Sequence, residues 1–173
     1  MDRHPELIRA LSKVVLSFSK EKELELFRKG VGKIIQSHLV WMSDWVDTNR
    51  NIFSKIDKAT ADTHEDDMAI CLFAIDEWEN EDRAVGMRYT ALCKRFKKLM
   101  TAERKQILKE ELDKQENKII EMVKKASTLA KDWKAKLENH TYDPYIAIPL
   151  TWLESVTVEE LKRNYLRWEK ENL

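Results

Sequence analysis

The chain has 173 residues, of which 43% are hydrophobic and 36% charged, with only three Gly and three Pro. That length buries a core without disulfides or metals, and the composition excludes turn-rich β folds and disorder alike. Basic and acidic residues balance at 31 each, so a globally basic nucleic-acid binder is excluded and only local patches are left.

Pro5 suits the first turn of a helix. Leu7, Ile8, Leu11, Val14, Val15 and Phe18 follow at steps of three and four, one apolar stripe. Ser19 is a cap for the next helix, with Glu21 and Glu23 near its positive end. Its stripe runs through Leu24, Phe27, Val31, Ile34, His38, Trp41 and Trp45 to Ile52 and Ile56. Gly30 and Gly32 each cost about 1 kcal/mol in a helix interior, so a break or kink is expected there. His38 lies on the apolar stripe and reads as a satisfied core or interface group. Trp41 and Trp45, one turn apart, read as packing ahead of a ligand cage.

Thr63 opens a second unit with a variant capping box, Thr63-His64-Glu65-Asp66. Met68, Cys71, Leu72, Ile75 and Trp78 form its stripe. Asn80-Glu81-Asp82 is an expected interruption, after which Val85, Tyr89, Leu92, Phe96 and Leu99 resume. Thr101 is a further candidate cap. Leu108, Leu112, Ile119, Val123, Ala126, Ala130 and Trp133 then follow in heptad-like spacing. One helix over 64–138 would be roughly 110 Å long, so two or three helices are expected. Their seam needs a cover, and self-association through those seven residues is the expectation, because an exposed seam would be a large apolar patch. His140 to Pro149 reads as an extended connector lying against the body, since the residue before each proline avoids the α region. Thr157-Val158-Glu159-Glu160 is a capping box with a staple from Val156 to Leu161, and starts the last helix.

The expected fold is therefore all-α, an elongated bundle of long antiparallel, coiled-coil-like helices over 1–139. The connector and C-terminal helix, 140–173, pack on the same domain. No apolar run approaches the roughly 20 residues of a membrane span, and the N-terminal helix has no signal-peptide core. Cys71 and Cys93 fall on apolar stripes and read as buried free thiols in a reducing, cytoplasmic setting.

Chemistry-bearing motifs are scarce. The chain has no Gly-rich phosphate loop, His-Glu-x-x-His, Cys-x-x-Cys or nucleophile elbow. Glu79-x-x-Asp82 and Glu110-x-x-Asp113 place carboxylate pairs on one helix face, in the manner of Mg²⁺ sites, but read as solvated faces. His64 with Glu65, Asp66 and Asp67 has a helix-dipole explanation. The reading is thus of a protein without enzymatic activity, cofactor or metal.

Charge is more informative. Acids dominate from Asp57 to Asp82 and bases from Arg83 to Lys105. Lys94, Lys97, Lys98 and Lys105 fall at helical spacings away from the apolar stripe, which points to a polyanion-binding face for lipid headgroups or nucleic acid. The plain counterpart is that acidic and basic blocks pair across antiparallel helices.

Phe53-Ser54-Lys55-Ile56-Asp57-Lys58-Ala59-Thr60, Asp66-Asp67 and the run from Tyr89 to Leu99 resemble the first part of a sorting-nexin-type BAR domain. The resemblance covers residues 50–103. It implies long antiparallel helices that dimerise and bind anionic membranes through basic faces. The expected function is a non-enzymatic helical scaffold, membrane-apposed and associating with itself or another helical protein. The alternative is a helical nucleic-acid-associated protein using the 83–105 face.

Overall fold

The computed structural model describes residues 5–9, 19–55, 64–137 and 144–173. The expected stripe positions Leu11, Val14, Val15, Phe18 and Ile56, the Thr63 cap and the stretch 140–143 lie outside the described residues, as do the side chains of His64 and Glu65. Residues 5–9 are helical. The longer helices are α1 (Lys20–Lys55), α2 (His64–Arg95), α3 (Thr101–Lys114), α4 (Glu116–Leu137), α5 (Pro144–Ser155) and α6 (Val158–Asn172). No strand occurs among the described residues, and the all-α helical bundle follows.

Local signals set most boundaries. The Ser19 hydroxyl accepts the Lys22 N–H at 3.2 Å and starts α1, with Glu21 and Glu23 in its first turn. The Thr157 hydroxyl accepts the Glu160 N–H at 3.2 Å and starts α6. Thr157→Ala is expected to cost about 1 kcal/mol, read from the midpoint of a urea unfolding curve. An unchanged midpoint would count against the cap. Thr101 is not the cap of α3. Met100 holds that position, and the Glu103 carboxylate reaches back to accept its N–H at 3.3 Å.

Three expected interruptions are absent. α1 runs unbroken through Gly30 and Gly32, and α2 through Asn80-Glu81-Asp82. Polar groups in that part of α2 are accommodated because they have partners. Arg88 donates to Glu81 at 3.1 Å, and the Asn164 amide donates to Asp82 at 3.1 Å. The third is the connector: residues 144–149 are helical, the first half of α5, and Pro149 lies within it. A proline at that point removes the bond to the Tyr145 carbonyl and crowds it, but Tyr145 is an exposed residue near the helix start. Burial of Ile146, Leu150 and Leu153 at helical spacing fixes the conformation.

The packing is a bundle of four rods, with α3–α4 and α5–α6 each acting as one rod. α1 packs on α2, α3 and α4; α6 packs on α2, α3 and α4; α5 packs on α2 and α4. Side-chain contacts give the directions. Trp45 donates to the Ala74 carbonyl at 2.9 Å while Phe27 meets Tyr89, so α1 and α2 are antiparallel. Arg28 pairs with Glu111 at 3.0 Å and Trp45 meets Trp133, so α1 and α3–α4 are parallel. Asp82–Asn164 and Tyr89–Glu169 make α2 and α6 parallel. α2 and α3–α4, neighbours in sequence, thus occupy one diagonal, and the link from Phe96 to Met100 crosses the bundle end.

This arrangement decides what covers the heptad-like seam. Leu108, Leu112, Ile119, Val123, Ala126, Ala130 and Trp133 are all buried within the one chain. The expectation that a second copy covers them is corrected: α1, α5 and α6 do so, because α1 runs parallel beside α3–α4 and supplies the complementary stripe. Trp45, Trp78 and Trp133 are core too, and the half-buried Trp41 packs against them. Trp45 meets Trp78 and Trp133 at ring-centroid distances of 5.0 and 6.1 Å. Cys71 and Cys93 are buried and unpaired.

Two glycines have opposite roles. A Cβ on Gly86 would fall on the Trp168 indole, so Gly86 is what lets α6 approach α2. At Gly32 the nearest atom is a Glu111 carboxylate oxygen at 3.6 Å, an ordinary contact. Gly86→Ala is expected to destabilise by about 1–3 kcal/mol through overpacking, despite the better helix former. Gly32→Ala should instead stabilise by up to about 1 kcal/mol. Thermal melts of the two variants check the contrast, and equal signs would refute it.

Candidate polyanion-binding cleft

The α2–α3 corner is built from the end of one polar face and the start of another. Lys94 and Arg95 occupy the last turn of α2, where cations complement the carbonyl end of the helix. Leu99 turns inward and is buried, with its N–H bonded to the Phe96 carbonyl at 3.0 Å. Lys97 and Lys98 are left outside, and α3 then sets off with Lys105 on its exposed side. The last turn of α6 closes the corner and brings Lys170. The result is an open cleft of about 960 Å³, lined by Lys94, Lys97, Lys98, Lys105 and Lys170 above Leu99, Arg104 and Glu169.

The floor is a buried ion pair. Glu169 is 3% exposed and Arg104 6%. Arg104 donates to Glu169 Oε1 through Nε at 3.1 Å and Nη2 at 2.9 Å, and through Nη1 to the Leu99 carbonyl. The Tyr89 hydroxyl donates to Glu169 Oε2 at 2.9 Å. Burial, ahead of the neighbouring Cys93 and Glu169, pushes the Tyr89 hydroxyl well above its usual range. The Glu169 charge is thus spent internally, and the same bonds pin α6 to the corner.

The walls are different. Among the described residues no carboxylate pairs with Lys94, Lys97, Lys98, Lys105 or Lys170, although thirteen other Lys or Arg contacts with carboxylates are present. The nearby acid Glu103 is engaged by Lys20 at 2.5 Å, which holds its carboxyl below the usual range. Among the described residues the acidic block of α2 makes no ion pair with the cleft lysines, and its contact with the basic block is the pair Glu81–Arg88 on α2 itself. Glu81 turns to Arg88 and Asp82 to Asn164.

A second groove, about 670 Å³, runs along α6 from Trp152 and Val156 past Arg163 and Arg167 to Lys170. Lys105 and Lys170 line both hollows, so the two adjoin. Asp82 and Glu160 are its acids. Burial raises the Asp82 carboxyl, against the Asn164 hydrogen bond.

All four sequence-identified lysines thus converge on one cleft. Lys170, Arg163 and Arg167 were not in that set. Their signal was local but faint, bases at steps of four and three on the face of α6 opposite Leu161 and Tyr165. The other candidates separate. Glu110 pairs with Arg28 at 2.5 Å and Asp113 with Lys162 at 3.2 Å. His38 is buried with Nδ1 3.8 Å from Glu81 Oε1, and neither ring nitrogen has a hydrogen-bond partner among the described residues, so it is core but not the satisfied group expected. Among the described residues, no group of three His, Cys, Asp or Glu is placed to hold a metal ion. No family model, curated protein or solved structure matches the chain.

Proposed function

We propose that this protein is a non-enzymatic helical scaffold that attaches peripherally to anionic, phosphate-bearing membrane surfaces through the lysine cleft. The observation that carries the reading is the convergence of Lys94, Lys97, Lys98, Lys105 and Lys170 on one open cleft, without carboxylate partners among the described residues. Unpaired cations brought together repel one another, and a polyanion relieves that cost. Met100, 61% exposed, stands at the rim beside Lys97 and Lys98. An apolar tip among lysines suits a headgroup layer, where the tip meets the acyl boundary and the ammonium groups meet phosphates. No described helix is long and apolar enough to cross a membrane, so the contact would be peripheral. The resemblance of residues 50–103 to a membrane-binding BAR segment agrees. The remaining helix faces would then serve a protein partner at the cytoplasmic side.

Nucleic acid is the competing polyanion. Single-stranded binding uses exposed aromatic platforms among the bases, but Tyr89 is fully buried and Phe96 is packed against the core. Co-sedimentation with mixed phosphatidylcholine–phosphatidylserine vesicles, beside a gel shift with short RNA and DNA, tests the reading. Binding to the vesicles is expected at 0.01 M salt, where the screening length is about 30 Å, and should weaken toward 0.1 M, where it is about 10 Å. Binding to nucleic acid alone, or to neither polyanion, would overturn it.

A further inference from the structure

α5 carries no charged residue from Pro144 to Leu153. Its inner face is spent on the core through Ile146, Leu150 and Leu153. Its outer face is nonetheless apolar. Tyr145 is 80% exposed and Ile148 75%, higher values than for any other exposed large hydrophobic residue among those described. Trp152, one turn beyond Ile148, is half-buried and opens onto the α6 groove. Single exposed apolar side chains are ordinary on protein surfaces. An uncharged helix that lines up an aromatic, an aliphatic and an indole at steps of three and four is not.

What adjoins this edge identifies its occupant. From Trp152 the groove continues past Arg163 and Arg167 to Lys105 and Lys170, which it shares with the lysine cleft. An apolar edge, then a groove whose bases Arg163, Arg167, Lys105 and Lys170 outnumber its acids Asp82 and Glu160, is complementary to one kind of surface, the boundary of an anionic bilayer. There Tyr and Trp rings favour the headgroup level, aliphatic side chains the acyl boundary, and bases the phosphates. We propose that α5 is a membrane-insertion element. Its Tyr145–Ile148–Trp152 edge enters the interfacial layer of an anionic bilayer while the α6 arginines and cleft lysines hold headgroups. This rests on the membrane reading above and adds depth and orientation to it: α5 and α6 face the lipid, and α1, across the bundle, faces away.

The native thiols permit a clean test. Cys71 and Cys93 are each 1% exposed, and burial pushes their thiols up to about 12 and about 11. An environment-sensitive fluorophore will therefore attach selectively at Ile148→Cys in the folded protein. Gln36→Cys, at an exposed position on α1, is the control. Mixed phosphatidylcholine–phosphatidylserine vesicles should shift the Ile148 label to the blue. Lipids carrying a quencher high on the acyl chain should quench it, and the Gln36 label should not respond. Ile148→Glu, exposed and so harmless to folding, should weaken vesicle binding about tenfold. If the wild type sediments with vesicles but the Ile148 label stays in water, insertion is overturned and the cleft reading survives. If the wild type does not sediment, both fall. A blue shift driven by protein concentration alone would mean that a second copy, not lipid, covers α5, and would also overturn the proposal.

Discussion

Replacing Glu169 by alanine is expected to destabilise the protein by about 3–5 kcal/mol, the range found when one partner of a buried ion pair is removed. Both groups are almost fully buried, and Arg104 gives Glu169 two of its donors. Without the carboxylate, the guanidinium keeps the Leu99 carbonyl and the Thr101 hydroxyl, the latter at 3.2 Å, but no charged partner. The Tyr89 hydroxyl loses its acceptor as well. The size of the loss reflects stranded partners and not the worth of the pair, and that distinction is testable. In the triple variant Tyr89→Phe/Arg104→Met/Glu169→Leu no donor is stranded, and most of the lost stability should return. Urea unfolding monitored by circular dichroism measures both. A loss below about 1 kcal/mol for Glu169→Ala would mean that water reaches the corner and the pair is not part of the core.

Much of this fold was legible because helical periodicity is a local property. The stripes of α1 and α2 and the Ser19 and Thr157 caps follow from spacing and cap chemistry alone, whereas 64–138 reads only as two or three helices, with an interruption at Asn80-Glu81-Asp82 that α2 does not have. The misreadings share one cause, which is that tertiary packing overrides local preference. Pro149 argues for extended backbone, yet three fully buried side chains at helical spacing outweigh one missing hydrogen bond. Gly30 argues for a break, yet α1 runs straight through it, and the missing side chain leaves room for Leu92. The seam at Leu108 to Trp133 announces that it needs a cover, but spacing is the same whether that cover is α1 or another chain.

The candidate site divides along the same line. Lys94, Lys97, Lys98 and Lys105 stand close in sequence, and their shared face could be read from helical spacing. The concavity could not, since it needs the last turn of α6, which the Arg104–Glu169–Tyr89 network holds in place. Glu169 itself sits in a run of charged residues near the end of the sequence and looks like solvated surface there. Only the antiparallel return of α6 along α3 turns it into a buried anchor and delivers Lys170 to the lysines.

Removing charge from that cleft is expected to have the largest effect on binding. Each lysine near an anionic membrane contributes on the order of 1 kcal/mol, so Lys94→Gln/Lys97→Gln/Lys98→Gln/Lys105→Gln should weaken vesicle binding roughly a thousandfold. The corresponding four glutamates should abolish it. All four side chains are exposed, so helicity should be unchanged. The glutamine series is the cleaner one, because a glutamate at Lys94 would oppose the carbonyl end of α2 and cost about 0.3–1 kcal/mol of fold stability. Single Lys→Gln variants should each weaken binding about fivefold, and the loss should shrink as salt rises. Lys170→Gln should behave like the other four, since it shares their cleft and has no carboxylate partner among the described residues. If the quadruple glutamine variant binds vesicles as the wild type does, the attraction lies elsewhere. If Lys170→Gln alone is silent while the others respond, the polyanion lies on the α2–α3 corner and does not enter the cleft.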